Sequence, residues 1–320
     1  MYQKQSILWP HRVVLKADCT ITAGVAVLSS PEPAINPEYT KRGVQWLAKH
    51  GCKCKLAKHY MGNNAFLSGT PEEVSKDLDD LLSDPDVSWI VSAGGGYNSN
   101  CLLPYLNYEL IRKARKPIIG LSNPSVLLNA ITVKTGLVTY HGPVLLWNFG
   151  SEEGGIDEFT ERHLWEMLAG ASKEIVIEHE EEWTWLRKGN VKGKLFGGNL
   201  WSIQQLLGTP YEPFWDGAIL FIEDCFCEMH QVLAILDHFR TAGVFERIGG
   251  LIVGIPLEIK EEELQYEGDF NSLVMNTVKD YDFPVLANVH LGHTNRKLTM
   301  PIGSQCQMDY DNNQIVFERD

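Results

Sequence analysis

The fold of this chain is decided by residues 89–121, which read WIVSAGGGYNSNCLLPYLNYELIRKARKPIIGL. The apolar run Trp89–Ala93 predicts a buried strand that leads into Gly94-Gly95-Gly96, and residues 117–121 predict the next strand. We interpret residues 100–113, between the two strands, as a helix. Strands and helices that alternate at this spacing are typical of βαβ units in a parallel sheet.

The same alternation extends towards the N-terminus. Residues 21–28 predict a strand, and residues 40–50 and 71–82 predict helices. We therefore expect an α/β fold whose N-terminal domain is a flavodoxin-like parallel sheet with helices on both faces. In such sheets the functional loops gather at the carboxyl ends of the strands.

The second half of the chain has a different pattern. Strands are predicted at 218–222, 250–255 and 284–289, followed by a closing hairpin at 305–317. A polar, acidic stretch precedes them. We predict an N-terminal domain at 1–150, a linker at 151–182 and a mixed, strand-rich C-terminal domain at 183–320.

Composition limits the class of partner. The 320 residues are 44% hydrophobic and carry a formal net charge of −13, which argues against binding to a nucleic-acid polymer. The N-terminus lacks a signal-peptide pattern and no window holds 18 apolar residues, so we expect a cytoplasmic protein without a membrane partner. We expect reduced thiols at all seven cysteines, which are Cys19, Cys52, Cys54, Cys101, Cys225, Cys227 and Cys306.

Ser122 is the strongest candidate for a reactive side chain. It follows an apolar strand and precedes Pro124, which is suited to the first position of a helix. Ser122 or Asn123 is then the helix cap. A capping serine is one interpretation, and a nucleophile held at a helix N-terminus, where free amides favour an oxyanion, is the other.

An acid and a base are found downstream. Residues 218–222 predict a buried strand that is followed by Glu223 and Asp224. Neighbouring side chains on a strand point to opposite sides, so only one of these carboxylates can face the crevice. We favour Glu223. His293 follows Gly292 in a turn-rich loop and is the better candidate for a general base, with His141 as its rival.

Two other motifs point less clearly to a function. Gly94-Gly95-Gly96 is either a tight turn or a source of oxyanion amides, and it lacks the spacing of a dinucleotide site. His290 and His293 form an H-x-x-H pair without a nearby third ligand. Cys225 and Cys227 form a C-x-C near Glu223, which is weak evidence for redox chemistry. We predict neither a metal nor a cofactor.

Taken together, these stretches resemble the LD-carboxypeptidase family of serine peptidases, the S66 peptidases, which includes the microcin C immunity peptidases. The resemblance covers the chain from about residue 21 to residue 303. Its motifs occur in order as Gly95-Gly96-Tyr97, Gly120-Leu121-Ser122, Gly142-Pro143, Gly197-Gly198-Asn199-Leu200 with Gly208-Thr209-Pro210-Tyr211, and Gly292-His293 with Pro301-Ile302-Gly303.

The resemblance implies a Ser–Glu–His triad made of Ser122, Glu223 and His293. It also implies an oxyanion hole from the backbone amides of Gly96 and Asn123, no metal, and a homodimer. Asn123 departs from the family, whose members usually carry aspartate after the serine.

The microcin-immunity branch is the one we favour, because of Asn98-Ser99-Asn100 and the aromatic stretch 183–189. That resemblance implies a peptide-like or aminoacyl-nucleotide substrate contacted by Tyr97, Asn199, Trp183 and Trp185. Exposed indoles stack on nucleobases with about 1–3 kcal/mol per base. The alternative for the two tryptophans is a strand that packs one face into the core.

Three functions therefore remain open. The first is an amide hydrolase that releases an aminoacyl group from a nucleotide. The second is a carboxypeptidase that removes terminal D-alanine from a murein tetrapeptide. The third is a binding protein that has lost turnover, an idea motivated by Asn123.

Overall fold

The computed structural model describes residues 6–14, 21–259 and 268–319, so Cys19 lies outside the described residues. Its strands are β1 (Ile21–Ala26), β2 (Cys52–Leu56), β3 (Trp89–Ser92), β4 (Ile118–Gly120), β5 (Thr139–His141), β6 (Glu174–Glu178), β7 (Thr184–Arg187), β8 (Val191–Asn199), β9 (Ile219–Glu223), β10 (Gly250–Gly254), β11 (Val285–Val289), β12 (Met300–Ile302), β13 (Gln305–Asp309) and β14 (Gln314–Glu318). Its α-helices are α1 (Glu32–Ile35), α2 (Pro37–Lys49), α3 (Pro71–Ser83), α4 (Tyr108–Ala114), α5 (Ser125–Thr135), α6 (Glu158–Ala169), α7 (Leu200–Ile203), α8 (Met229–Thr241) and α9 (Phe270–Thr277). Short 3₁₀ turns lie at Ser99–Leu102 and Gln204–Leu206, and a π-helical turn lies at Leu145–Phe149.

The first sheet has the order β2-β1-β3-β4-β5-β12. Its first five strands are parallel, and β12 adds to β5 as an antiparallel edge. This is the flavodoxin-like strand order, so the predicted fold class of the N-terminal domain is confirmed. The order reverses between β1 and β3, and a crevice forms at the carboxyl ends of the strands at such a reversal.

The second sheet has eight strands in the order β6-β14-β13-β8-β9-β10-β11-β7. Strands β8 to β11 are parallel to one another, and the outer strands pair antiparallel. Strand β9 is buried along its whole length, as expected for a parallel strand covered on both faces. The mixed, strand-rich character and the closing hairpin β13–β14 are both confirmed.

Helix boundaries follow local sequence chemistry. Helix α3 begins with a capping box, in which the Thr70 side chain accepts from the Glu73 N–H and the Glu73 side chain accepts from the Thr70 N–H. Helix α5 ends where Gly136 takes the left-handed conformation, with φ of +74°. The capping box explains why the helix predicted at 71–82 matches α3 closely, while the helix predicted at 40–50 overlaps α2, which begins earlier, at Pro37.

The helix predicted over residues 100–113 is wrong. The chain forms a 3₁₀ turn at Ser99–Leu102 and starts helix α4 only at Tyr108. Pro104 lacks an N–H and cannot sit inside a continuous helix without breaking it. Asn107 then caps the new helix, because its side chain accepts a hydrogen bond from the Leu110 N–H.

The segment predicted as a linker contains ordered elements. Helix α6 and strand β6 fall within residues 151–182, and β6 pairs with β14 at the edge of the second sheet. The exact domain boundaries stay a prediction. Among the described residues, no helix is both long and apolar enough to cross a membrane.

The two sheets direct their carboxyl ends towards a common cavity. Gly95 and Ser122 follow β3 and β4 of the first sheet, while Asn199 and Asp224 stand at or just after the ends of β8 and β9. All four residues line one cavity of about 590 Å³. The fold therefore brings residues that are far apart in sequence to one place.

Candidate active site

Ser122 sits on a strained turn between β4 and α5. Its φ is +66°, in the left-handed region that a residue with a Cβ adopts at a cost of roughly 1–2 kcal/mol. The N-cap of α5 is Pro124, without a capping side chain, so the prediction that Ser122 or Asn123 caps this helix is wrong. The Ser122 side chain instead lines the cavity. Strain of this kind gathers at functional sites.

The glycine run packs directly against this serine. A Cβ added to Gly95 would lie 2.8 Å from the Ser122 Cβ and 3.1 Å from its Oγ. Gly96 has a φ of +105°, and a Cβ there would lie 2.4 Å from the Ser30 Oγ. Glycine is required at both positions, because any side chain would displace the loop that approaches Ser122.

The side chain of Asn123 holds three loops together. Its Oδ1 accepts hydrogen bonds from the Ser99 N–H at 2.7 Å and the Ser29 hydroxyl at 3.2 Å, and its Nδ2 donates to the Ser202 Oγ at 3.3 Å. Asn123 is fully buried. Its amide therefore provides both an acceptor and a donor to its neighbours, which an ionised aspartate would not do.

His293 and Glu223 form a close pair. The His293 Nδ1 and the Glu223 Oε2 are 2.6 Å apart, and because a carboxylate only accepts, the imidazole donates through Nδ1–H. Gly292 makes this approach possible, since its φ is +87° and a Cβ there would lie 2.4 Å from the Glu223 Oε2. Burial opposes ionisation of Glu223, but His293, with smaller effects from His141 and Asn199, outweighs it and holds the pKa of Glu223 below its ordinary value.

Asp224 turns away from this pair. It accepts hydrogen bonds from the Asn199 Nδ2 at 3.0 Å, the Cys225 N–H at 2.8 Å and the Trp201 N–H at 3.3 Å. Burial, and then the nearby Glu223 charge, raise the pKa of Asp224 to about 6. Glu223, not Asp224, is thus the carboxylate in contact with His293.

The Asn199 side chain uses most of its hydrogen-bonding capacity on neighbouring residues of the protein. Its side chain accepts from the Ser202 N–H at 3.1 Å and the Ser202 hydroxyl at 2.7 Å, in addition to its bond to Asp224. Together with Tyr97, it lines the cavity.

The two predicted indoles lie elsewhere. Trp183 is only 6% exposed, so the expectation of an exposed ring is wrong for it. The Trp185 Nε1 donates to the Asn313 Oδ1 at 2.7 Å, and its ring meets Tyr310 edge-to-face. Neither tryptophan is among the described residues that line the cavity. Pairing of β7 with β11 draws this stretch into the second sheet.

Exposed aromatic rings do border the cavity, but they come from other loops. We call Tyr97, Trp201 and Phe226 the aromatic rim, with 65%, 42% and 55% of their surfaces exposed. Phe226 has a φ of +55°, which is rare for a bulky side chain. Of the three, sequence reasoning had selected Tyr97 alone. Phe226 follows the predicted strand at 218–222, and this position was the available signal, whereas Trp201 follows β8, which the sequence analysis did not predict as a strand.

A second group of polar residues lies buried behind Glu223, and of its members the sequence analysis had named His141 but not Lys297 or Thr299. The His141 Nε2 is 3.8 Å from the Glu223 Oε1. Several buried side-chain atoms of the described residues find no hydrogen-bond partner, and they include the Glu223 Oε1, the His141 Nε2, the Lys297 Nζ and the Thr299 Oγ1. Buried polar atoms usually have partners, so this cluster marks an electrostatically demanding region.

Burial controls the charges in this cluster. It lowers the pKa of His141 to about 4, despite the opposing Glu223 charge, so this imidazole is neutral near pH 7. It also lowers the pKa of Lys297 to about 8, against the opposing effects of Glu223 and Asp157. His141 is fully buried and is not among the described lining residues, so it does not share the position of His293.

The H-x-x-H pair divides between two sites. His293 contacts Glu223, while ligand atoms of His290, Glu180 and Glu182 lie within 4.8 Å of one another. Within residues 6–14, 21–259 and 268–319, these three form the group whose spacing could hold a metal ion, but Glu180 already pairs with Arg296. None of the three is among the described residues that line the cavity.

The cysteines near the site are not activated. Burial raises the pKa of Cys225, and it raises that of Cys227 to about 12. A thiol with a raised pKa remains protonated and is a poor nucleophile. All six cysteines in the described residues are free, and their reduced state stays a prediction.

Comparison with known proteins identifies both halves of the chain. Residues 24–142 match the model of the LD-carboxypeptidase N-terminal domain, and residues 192–308 match that of the LD-carboxypeptidase C-terminal domain. A Vibrio cholerae protein named putative carboxypeptidase is 30% identical over 91% of this chain and 92% of its own. A Bacillus subtilis protein named probable murein peptide carboxypeptidase is 28% identical over 93% and 91%.

The solved structures agree with the sequence relatives. The chain is 28% identical to the microcin C7 self-immunity protein MccF of Escherichia coli, over 94% of this chain and 95% of MccF. A structure of MccF in complex with glutamyl sulfamoyl guanosine superposes with a TM-score of 0.89 at 26% identity, covering 97% of this chain and 98% of that one.

The strain at Ser122 is testable through stability. We expect Ser122→Gly to be about 1 kcal/mol more stable than Ser122→Ala. Glycine adopts a φ of +66° without a Cβ clash, and the greater entropy of glycine in the unfolded chain offsets part of this gain. Urea denaturation of the two variants measures the difference. An alanine variant that equals or exceeds the glycine variant would show that the turn is unstrained.

The buried Lys297 predicts a pH dependence of stability. Its folded pKa of about 8 lies below the unfolded value of 10.5, so the unfolded chain binds more protons between these pH values. Burial of the ammonium therefore lowers the free energy of unfolding by its full amount, on the order of 3 kcal/mol, below pH 8. This loss becomes smaller as the pH rises towards 10.5.

We expect the free energy of unfolding of the wild type to rise relative to that of Lys297→Met over that pH range. Urea denaturation at pH 7, 8, 9 and 10 measures it, with Lys192→Met, at an exposed lysine, as the control. A difference that is independent of pH would contradict the charged, buried state of Lys297.

Proposed function

The chain belongs to the LD-carboxypeptidase family and is a hydrolase, and on that premise we propose that it cleaves the amide that links an aminoacyl group to a nucleotide. In this proposal Ser122 is the nucleophile, His293 the general base and Glu223 the orienting acid. The observation that carries the proposal is the 2.6 Å contact between His293 and Glu223, beside a cavity that Ser122 and His293 both line.

The proposed reaction follows the chemistry of serine acyl transfer. With Nδ1–H bound to Glu223, the other nitrogen of His293 takes the Ser122 proton as Oγ attacks the carbonyl carbon. The imidazolium then protonates the leaving nitrogen, and a water molecule activated by the same histidine hydrolyses the acyl–serine bond. Backbone amides of Gly96 and Asn123 are the proposed oxyanion donors, at a glycine loop and at the turn into α5.

The aromatic rim supports a substrate with a planar base. Exposed aromatic side chains stack on nucleobases, and Tyr97, Trp201 and Phe226 offer three such rings beside the cavity. MccF, to which this chain is similar, is found in structures with glutamyl sulfamoyl guanosine and aspartyl sulfamoyl adenosine. We therefore assign the predicted stacking role to the rim instead of Trp183 and Trp185.

A murein tetrapeptide carboxypeptidase is the second candidate function, because the Bacillus subtilis relative carries that kind of name at similar identity. The idea of an inactive binding protein loses its motive, since the Asn123 side chain is engaged in loop contacts. A homodimer in the cytoplasm remains the prediction for assembly and location.

The triad proposal predicts graded losses of activity. We expect Ser122→Ala to lower kcat/KM for an aminoacyl sulfamoyl adenosine by about 10⁴-fold or more. Glu223→Gln is expected to cost less than His293→Ala, because the acid only orients and stabilises the imidazole. Steady-state kinetics on folded variants measure these losses. If Asp224→Asn is more damaging than Glu223→Gln, the orienting acid is misassigned.

The rim predicts a loss that depends on the base. We expect Trp201→Ala to weaken the binding of nucleotide-bearing substrates by about 1–3 kcal/mol and to leave the turnover of a murein tetrapeptide nearly unchanged. Trp185→Ala is the matched control, because its indole contacts Asn313 away from the cavity. A selective loss in Trp185→Ala but not in Trp201→Ala would return the stacking role to the 183–189 stretch.

A further inference from the structure

A carboxylate that the proposed reaction does not use lies in the cavity wall. Glu32 opens the short helix α1 and lines the same cavity as Ser122 and His293. The Trp147 Nε1 donates to its Oε2 at 2.7 Å, and the Gly95 N–H also donates to this carboxylate. The side chain is therefore fixed in one position.

Glu32 and Ser122 both pack against the glycine run that follows β3. A Cβ on Gly94 would lie 2.1 Å from the Glu32 Oε2, while a Cβ on Gly95 would lie 3.1 Å from the Ser122 Oγ. Two adjacent glycines thus separate the carboxylate from the serine. Both residues line the same cavity, so one bound substrate can contact the carboxylate and the serine together.

Glu32 retains unused capacity to accept hydrogen bonds. An ionised carboxylate offers about four acceptor sites, and the structure fills two of them. No lysine or arginine in the described parts of the chain forms an ion pair with Glu32. By contrast Asp224, the other carboxylate of the wall, accepts from three N–H donors of the protein.

The surroundings of Glu32 favour a cationic ligand. No lysine or arginine is among the described residues of the cavity wall, so those residues offer no ammonium or guanidinium group to this carboxylate. Burial raises the pKa of Glu32, and a bound cation would offset that cost of ionisation. An ammonium group, with three donors and a positive charge, fits the open acceptor sites.

We propose that Glu32 binds the free α-ammonium group of the aminoacyl part of the substrate, next to the scissile carbonyl. The inference rests on the proposed function and specifies its substrate class. The site then prefers a single, unacylated aminoacyl residue. A murein tetrapeptide lacks that group at the corresponding place, because the α-nitrogen there is part of a peptide bond.

The test compares binding of two ligands, aspartyl sulfamoyl adenosine with a free α-amine and its N-acetyl derivative. Calorimetry on the Ser122→Ala protein measures affinity without turnover. We expect the free amine to bind about 10- to 100-fold more tightly, as for a hydrogen bond between charged groups. In Ser122→Ala/Glu32→Gln this preference should collapse, with the affinity for the N-acetyl ligand nearly unchanged.

Two further variants separate charge from structure. Glu32→Asp keeps the charge and is expected to retain part of the preference, while Trp147→Phe removes the donor that fixes Glu32 and is expected to reduce it. Equal affinities for the two ligands, or equal losses for both in the Glu32→Gln background, would overturn the inference.

The outcome for the proposed function is read separately. If the wild type binds the free amine selectively but hydrolyses neither ligand, the proposed reaction fails and the Glu32 subsite stands. If the wild type hydrolyses both ligands with equal kcat/KM and affinity, the reaction stands and the subsite fails. If neither ligand binds, both the proposed reaction and the Glu32 subsite are contradicted.

Discussion

The hydrogen bond between His293 and Glu223 is the interaction on which the rest of the site depends. It joins a loop after β11 to the end of β9, and it places a charged carboxylate in a fully buried position. An isolated buried carboxylate is costly, so the pairing with imidazole and the nearby Lys297 make this arrangement tolerable. The site is therefore built around a buried negative charge that the imidazole of His293 and the side chain of Lys297 stabilise.

Backbone constraints bring the first sheet to this charge. Ser122 accepts a left-handed conformation, and Gly95 and Gly292 lack the Cβ atoms that would collide with Ser122 and Glu223. The flavodoxin-like strand order opens a crevice between β1 and β3, and α1 with Glu32 follows directly after β1. Strain and glycine thus serve the same purpose, which is close approach at the carboxyl ends of the strands.

Much of this architecture is predictable from local patterns in the sequence. Apolar runs identify β3, β4 and β9, and the ends of these strands point to Ser122 and to the pair Glu223 and Asp224 as candidates, without deciding between the two carboxylates. The break at Pro104 was missed because the apolar spacing on either side continues across it. Burial of Trp183 and of Lys297 depends on pairing between distant segments, such as β7 with β11, and local periodicity carries no information about such pairing.

The central claim is that Ser122 is a nucleophile activated by His293 and Glu223. Reaction of the intact protein with a fluorophosphonate, followed by mass mapping of the modified peptide, tests it most directly. The account predicts stoichiometric modification at Ser122, strongly slowed in His293→Ala and less so in Glu223→Gln. Modification at another residue, or an equal rate in His293→Ala and the wild type, would contradict it.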